Sequence, residues 1–121
     1  MKKVFALRAA SQCLNTKEDI VLRISSLYDN LLQNNKLQES DIISLIFSVS
    51  DDLDALNPAA GLRQSGRGLD LSLFTVREPE YKNSLPRTIR FLMHCYLEDD
   101  AIPCHVYQNG AEVLRPDRVK K

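Results

Sequence analysis

The sequence is poor in aromatic residues and has no excess of charge of either sign. Trp is absent, and only four Phe and four Tyr occur among 121 residues. A base-stacking platform for single-stranded nucleic acid needs more aromatic surface than this. Lys plus Arg and Asp plus Glu both total 16. A nucleic-acid-binding domain usually carries a clear basic excess, so this balance also argues against a nucleic-acid partner.

Long apolar runs and a regular cysteine pattern are also missing. No stretch approaches the roughly 20 apolar residues of a membrane span. The apolar run at residues 4–7 stops at Arg8, which is too short for the core of a signal peptide. Cys13, Cys95 and Cys104 fit neither a disulfide framework nor a zinc spacing. We therefore expect a cytoplasmic protein with reduced, partly buried thiols and no membrane partner.

The length and the hydrophobic periodicity predict one domain with alternating strands and helices. We place this domain at residues 1–117 and expect a frayed tail at residues 118–121. Period-two alternation predicts a strand over residues 3–9. A continuous apolar run predicts a buried strand over residues 42–49, and a third strand is expected over residues 69–76.

Capping residues predict three helices. Thr16 is a candidate N-cap followed by an apolar stripe of helical spacing. Asn57 before Pro58 marks a short second helix. Ser84 is expected to cap a second long helix, whose apolar face would comprise Leu85, Ile89, Leu92, Met93 and Tyr96.

The turn signal Asn109-Gly110 lies between strand-like residues 105–108 and 111–114, which predicts a β-hairpin. The resulting order is strand, helix, strand, short helix, strand, helix, hairpin. This order is typical of an α/β or α+β sheet that helices cover on one face.

The sequence contains no nucleophile motif, phosphate-binding glycine loop or metal cluster. His94 and His105 have no ligand partner at a useful spacing, so structural or surface roles are favoured over metal binding. Five other polar residues keep two interpretations each. They could form a binding site, or they could serve as an ion pair (Arg8), a solvated loop acid (Glu78), a core-edge side chain (Arg90), a packing aromatic (Tyr107) and a surface charge (Arg115).

The order of several short segments resembles the monofunctional chorismate mutases of the trimeric α/β-barrel type, the AroH class. The similarity is collinear over nearly the whole chain. The segments are Leu7-Arg8-Ala9; Asp52-Leu53-Asp54-Ala55 through Pro58-Ala59 to Arg63; Glu78 to Ser84-Leu85-Pro86-Arg87-Thr88-Ile89-Arg90; and His105-Val106-Tyr107 through Gly110-Ala111 to Leu114-Arg115-Pro116-Asp117.

The resemblance implies an α+β fold, a mixed β-sheet covered by helices on one face, and a homotrimer with active sites between subunits. It implies the rearrangement of chorismate to prephenate in aromatic amino acid biosynthesis, without a cofactor or metal. By resemblance, Arg90 would contact the ether oxygen and a carboxylate of the substrate. Arg8 and Tyr107 would bind the side-chain carboxylate, and Glu78 would accept a hydrogen bond from the ring hydroxyl.

The resemblance also implies a set of substrate-binding residues around this centre. Arg63 of a neighbouring chain and Arg115 would attract and enclose the anion. The remaining members of the expected wall are Asn57, Ala59, Ala60, Thr75 and Leu114.

Three of these positions depart from the family pattern, which often has Phe, Lys and Cys where this chain has Asn57, Ala60 and Thr75. Losing the Lys removes positive charge, which favours a weaker affinity for the anionic substrate over a loss of the chemistry. Two alternatives remain. One is a trimeric binding module for small carboxylates, and the other is an enamine or imine hydrolase on a similar fold with Glu78 as its base.

Overall fold

The computed structural model describes residues 1–118, which form a mixed sheet of five strands with helices on one face. The strands are β1 (Lys2–Gln12), β2 (Ile42–Val49), β3 (Ser72–Arg77), β4 (Thr88–Glu98) and β5 (Val106–Gln108). The helices are α1 (Lys17–Asn34) and α2 (Pro58–Gln64), and short 3-10 helices cover Glu39–Asp41, Ala111–Leu114 and Pro116–Arg118.

The strands lie in the order β3-β2-β4-β1-β5, with β4 at the centre. It pairs antiparallel with β1 on one side and with β2 on the other. The outer pairs, β2 with β3 and β1 with β5, are parallel. The mixed sheet that the family resemblance implies is thereby confirmed.

Alternating side chains divide the sheet into a covered face and an uncovered face. In β4, Ile89, Phe91 and Met93 are buried, whereas Arg90 and Leu92 are only partly buried. Because strand side chains alternate, the buried set packs beneath the helices and the other set forms the opposite face. The same alternation in β1, β2 and β3 gives an uncovered face that carries both polar and apolar side chains.

The two helices begin where the sequence predicts. The Thr16 side chain accepts a hydrogen bond from the Asp19 backbone N–H at 3.1 Å, which caps α1. The Asn57 side chain accepts one from the Ala59 N–H at 2.9 Å, which caps α2. The stripe of α1 is buried in the core that also contains Leu62 of α2. Both helices therefore cover the same face of the sheet.

The second long helix predicted after Ser84 is wrong, because this region is the central strand β4. The apolar residues fit both periods, and the strand period gives the larger buried set: Ile89, Phe91, Met93, Cys95 and Leu97. Pairing with strands on both sides then satisfies the backbone of β4, which outweighs local helix propensity. Arg90 consequently projects from a strand instead of from the border of a helix.

The predicted hairpin at residues 105–114 is also wrong, although its turn is present. Asn109 and Gly110 both have positive φ, 55° and 97°. The chain enters this turn from β5, which pairs parallel with β1, and leaves it into a 3-10 helix at Ala111–Leu114. Fully buried Ala111 anchors that helix, so the segment folds back over the sheet instead of pairing with β5.

Smaller differences concern element ends and the thiols. The first strand is longer than expected, and the third begins at Ser72 because the turn at Gly66 and Gly68 with positive φ displaces its start. Cys13, Cys95 and Cys104 are free thiols, and burial raises the pKa of the first two to about 11. Of the predicted tail at residues 118–121, residues 119–121 lie outside the described residues.

Candidate active site

A cavity of about 460 Å³ opens on the uncovered face of the sheet, above β1, β2 and β4. The loop after β3 and the segment after β5 form its sides. The strands below the cavity and the two segments at its sides contribute both polar and apolar groups. The lining residues are Arg8, Ala9, Ala10, Ile46, Ser48, Glu78, Tyr81, Asn83, Ser84, Leu85, Arg90, Phe91, Leu92, Tyr107, Leu114 and Arg115.

Strand register places several of these side chains in one row across the sheet. Ser48 of β2 lies opposite Arg90 of β4, Arg90 lies opposite Ala10 of β1, and Ala10 lies opposite Tyr107 of β5. Residues paired in this way point to the same face. The small side chain of Ala10 therefore lies between the two long side chains of Arg90 and Tyr107 in this row.

Glu78 is fixed at the edge of this row by two contacts to the same oxygen. The Ser48 hydroxyl donates to Glu78 Oε1 at 2.7 Å. Arg90 Nε lies 3.3 Å from that oxygen, in an ion pair whose side chains are only 29% and 22% exposed. The approach is not aligned as a hydrogen bond, and Arg90 Nε is buried without another partner among residues 1–118. The ion pair therefore orients both side chains and leaves part of their hydrogen-bonding capacity unused.

Arg8 lines the cavity from β1, two residues before Ala10 on the same face of the strand. Its register partner in β4 is Leu92, two residues from Arg90. The side chain is exposed and forms no ion pair with another described residue. Among the described residues, the structure therefore gives no support to the ion-pair interpretation.

Arg115 and Leu114 close the cavity from the segment after β5. Asp117 holds the Arg115 guanidinium through two hydrogen bonds, to Nε at 3.1 Å and to the terminal NH2 at 2.9 Å. This bidentate contact raises the pKa of Arg115 above its usual range. The guanidinium thus stays charged and oriented at the mouth of the site.

The other predicted binding residues do not line this cavity. Thr75 is the register partner of Phe47, so its side chain lies on the helix-covered face, where it donates to Asn57 Oδ1 at 2.8 Å. Ala59, Ala60 and Arg63 belong to α2 on the same face. Within one chain, the structure brings together Arg8, Glu78, Arg90, Tyr107, Leu114 and Arg115 and leaves the α2 group apart.

Sequence reasoning missed two residues that shape the site, Ser48 and Ala10. The signal for Ser48 was present, since Ser44 and Ser48 interrupt the apolar strand at even spacing while Leu45 and Phe47 are fully buried. A polar residue at every fourth position marks a face that is not core. Ala10 gave no comparable signal, because its importance depends on its neighbours across the sheet.

The described part of the chain contains no cluster of His, Cys, Asp and Glu suited to a metal ion. No helix in residues 1–118 is long and apolar enough to cross a membrane.

Comparison with protein families identifies the chain. The model of the family described as chorismate mutase type I matches residues 4–118. The chain belongs to this family. Its function is that of a chorismate mutase, an isomerase of aromatic amino acid biosynthesis with chorismate as substrate. The predicted family, fold class and function are confirmed.

Individual chorismate mutases show how far the similarity extends. Chorismate mutase AroH of Thermus thermophilus is 34% identical over 106 residues, covering 85% of both chains. Chorismate mutase AroH of Bacillus subtilis is 27% identical over 105 residues, covering 85% of this chain and 82% of the other. The solved structure of a chorismate mutase from Clostridium thermocellum superposes with a TM-score of 0.81 at 37% identity, covering 90% and 98% of the two chains.

Proposed function

We propose that the cavity on the uncovered sheet face is the chorismate mutase active site, and that a neighbouring subunit of a homotrimer completes it. The observation that carries this proposal is the convergence of three guanidinium groups, from Arg8, Arg90 and Arg115, around one polar cavity with Glu78 as the acidic residue among them. Chorismate is a dicarboxylate, and arginine forks match carboxylates in geometry and charge.

The reaction requires no covalent bond between the protein and the substrate. One C–O bond of the ether breaks while one C–C bond forms within the same molecule, so electrons redistribute in a ring and no group enters or leaves. Catalysis can then come from holding the flexible substrate in its compact reactive conformer. It can also come from fixed charges placed where the transition state polarises.

Arg90 supplies a positive charge that stabilises the transition state more than the bound substrate. Negative charge grows on the ether oxygen as its bond lengthens, and a guanidinium aimed at that oxygen binds the transition state more tightly than the substrate. The ion pair with Glu78 orients the Arg90 group from one side. The same guanidinium also contacts a substrate carboxylate.

Glu78 has a second oxygen, Oε2, that the contacts to Ser48 and Arg90 leave unused. That oxygen accepts the hydrogen bond of the ring hydroxyl and faces the electron-poor ring fragment. Arg8 and Tyr107 bind the side-chain carboxylate from the adjacent strands. Arg115 and Leu114 enclose the anion from the segment after β5.

Exposed apolar side chains on the uncovered face support an assembly. Phe74 is 64% exposed and Val4 is 55% exposed, while Tyr96 is the register partner of Val4. Large apolar side chains exposed on one sheet face are typical of a subunit interface. In the proposed trimer, the start of α2 lies at the cavity of a neighbouring chain, and it contributes the exposed Asn57 and Arg63 and the partly buried Ala60, together with Ala59 and Thr75. The trimeric stoichiometry follows the family resemblance.

We also propose that the enzyme works in the cytoplasm. Its three cysteines are free thiols. Reducing compartments keep thiols in this state, whereas oxidising ones favour disulfides.

The decisive variant is Arg90→Ala. We expect kcat to fall by at least about 100-fold, because an electrostatic contact made in the transition state is lost. The Arg90→Lys variant should recover little, since a single ammonium cannot replace the planar fork. The measurement is chorismate disappearance by ultraviolet absorbance with prephenate as the product.

The matched control is Arg23→Ala, which removes a partly buried arginine that pairs with Asp19 within α1 and does not line the cavity. This variant should keep the turnover of the wild type. An Arg90→Ala enzyme within tenfold of wild type would contradict the assigned role. Binding of chorismate by the wild-type protein without turnover would instead favour the non-catalytic binding module.

A further inference from the structure

A histidine side chain completes the sheet at the point where Arg8 enters the active site. Strand β5 pairs with β1 only from Ala9 to Ser11, opposite Val106 to Gln108. The backbone N–H of Arg8 lies just before this ladder begins. It donates a hydrogen bond to Nδ1 of the His105 ring at 3.0 Å. The imidazole therefore replaces the missing strand partner of Arg8.

The direction of this bond fixes the chemical state of the ring. A backbone N–H can only donate, so Nδ1 of His105 must offer a lone pair. The imidazole that makes this contact is neutral and carries its proton on Nε2.

The contact ties together two residues that the proposed function assigns to one substrate carboxylate. Arg8 stands on β1, and Tyr107 stands on β5 two residues after His105. The Arg8 side chain forms no ion pair within residues 1–118, so its own contacts do not hold it in place. The position of its Cα relative to β5 therefore depends on the backbone, and the His105 bond is the one nearest to it.

We propose that His105 is a positioning residue of this enzyme, which holds the Arg8 backbone against β5 so that Arg8 and Tyr107 meet the same carboxylate. The inference rests on the proposed function of Arg8. A guanidinium displaced from a carboxylate loses part of their paired hydrogen bonds, so one backbone contact at this place is sufficient to affect affinity.

Three substitutions at this position separate acceptor geometry from side-chain size. The Oδ1 atom of Asn occupies nearly the place of Nδ1 in His, whereas the amide of Gln reaches the place of Nε2. We expect His105→Ala and His105→Gln to raise KM about three- to tenfold, the range that one lost hydrogen bond supports. His105→Asn should stay within about twofold of wild type, and kcat should change less than KM in all three.

The backbone contact itself is measurable without activity. Hydrogen exchange at the Arg8 amide should quicken in His105→Ala and stay slow in His105→Asn. The matched control is Ile102→Ala, which removes a 91% exposed side chain from the same loop and should change neither quantity. Equal exchange rates in wild type and His105→Ala would overturn the proposal, as would equal KM values for the Asn and Gln variants.

The Arg8→Ala background distinguishes this proposal from the one on which it rests. If His105 acts through Arg8, adding His105→Ala to Arg8→Ala should raise KM no further. A full additional increase would show that His105 acts by another route and would overturn the inference. If Arg8→Ala alone left KM unchanged, the assigned role of Arg8 would fail first.

Discussion

The carboxylate of Glu78 shows how single contacts divide the work within the site. Its Oε1 atom accepts a hydrogen bond from the Ser48 hydroxyl and faces Arg90 Nε, while Oε2 takes part in neither contact. A carboxylate held on one side presents the other oxygen in a defined direction, which is the kind of preorganisation that catalysis by fixed charges requires.

Removing this hydroxyl should loosen Glu78 without removing its charge. We expect Ser48→Ala to lower kcat/KM by about three- to tenfold, the effect of one lost hydrogen bond to a charged group. Ser48→Thr keeps the donor and should retain most of the activity. The control Ser44→Ala lies on the same strand and loses a contact with His94 instead. Steady-state kinetics of the three variants decide, and a fully active Ser48→Ala would show that Arg90 alone holds Glu78.

At the residue scale, most of the residues around the cavity could be predicted from the sequence only through the family resemblance. Arg8, Glu78, Arg90, Tyr107, Leu114 and Arg115 do lie around one cavity, and their roles stay predictions. Without the resemblance, each had an equally ordinary structural interpretation, because a single charge or aromatic ring does not reveal its neighbours. Ala10 illustrates the limit, since its place between Arg90 and Tyr107 depends on pairing with two other strands.

At the scale of elements, the N-terminus of α2 combines a structural role with a proposed binding role. Asn57 Oδ1 accepts from the Ala59 N–H and from the Thr75 hydroxyl, which joins α2 to β3. The same residue is exposed and belongs to the wall that we assign to the neighbouring subunit. Two substitutions can separate the roles because Asp preserves the acceptor and Ala does not.

We expect Asn57→Ala to lower the free energy of unfolding by about 1 kcal/mol, the usual cost of losing an N-cap. Asn57→Asp should keep the stability of the wild type but raise KM, because its negative charge would face an anionic substrate. Thermal unfolding and substrate titration test both statements. Unchanged KM in Asn57→Asp would place this residue outside the substrate site.

Element prediction succeeded where local signals and tertiary structure agree. Thr16 and Asn57 cap their helices as predicted, and the strand at residues 42–49 has the predicted bounds. It failed for β4, where the residues fit two periods and only pairing with β1 and β2 decides between them. The hairpin prediction was wrong for a similar reason. The turn residues were identified correctly, but β5 pairs with β1, which is distant in sequence, and not with the residues that follow the turn.

At the scale of the whole molecule, the proposed site depends on two chains, and this can be tested by mixing variants. Arg90→Ala damages the cavity of its own chain, whereas Arg63→Ala is expected to weaken the cavity of a neighbour. In a cyclic trimer formed from equal amounts of both, about a quarter of the sites should receive intact Arg90 and intact Arg63. We therefore expect kcat/KM to rise well above that of either variant after joint refolding.

The matched control combines Arg90→Ala with Glu78→Ala, which lie on the same side of the proposed interface. That mixture should regain intact cavities from neither chain and stay inactive. Recovery in the control, or none in the test mixture, would contradict a site shared between subunits. Sedimentation of each mixture verifies that trimers have formed.

The position of β1 in the sheet has a consequence for synthesis of the chain. This strand carries Arg8 and is synthesised before the other four strands, yet β4 and β5, its two neighbours, come from residues 88–108. Until they emerge, β1 has two unpaired edges, which are the parts of a sheet most prone to wrong pairing. The antiparallel register from Lys2 opposite Glu98 to Gln12 opposite Thr88 also makes this pairing slow to nucleate. Within one chain, the sheet and the cavity of the proposed active site are therefore completed together, late in folding, and a chain released before β5 lacks both.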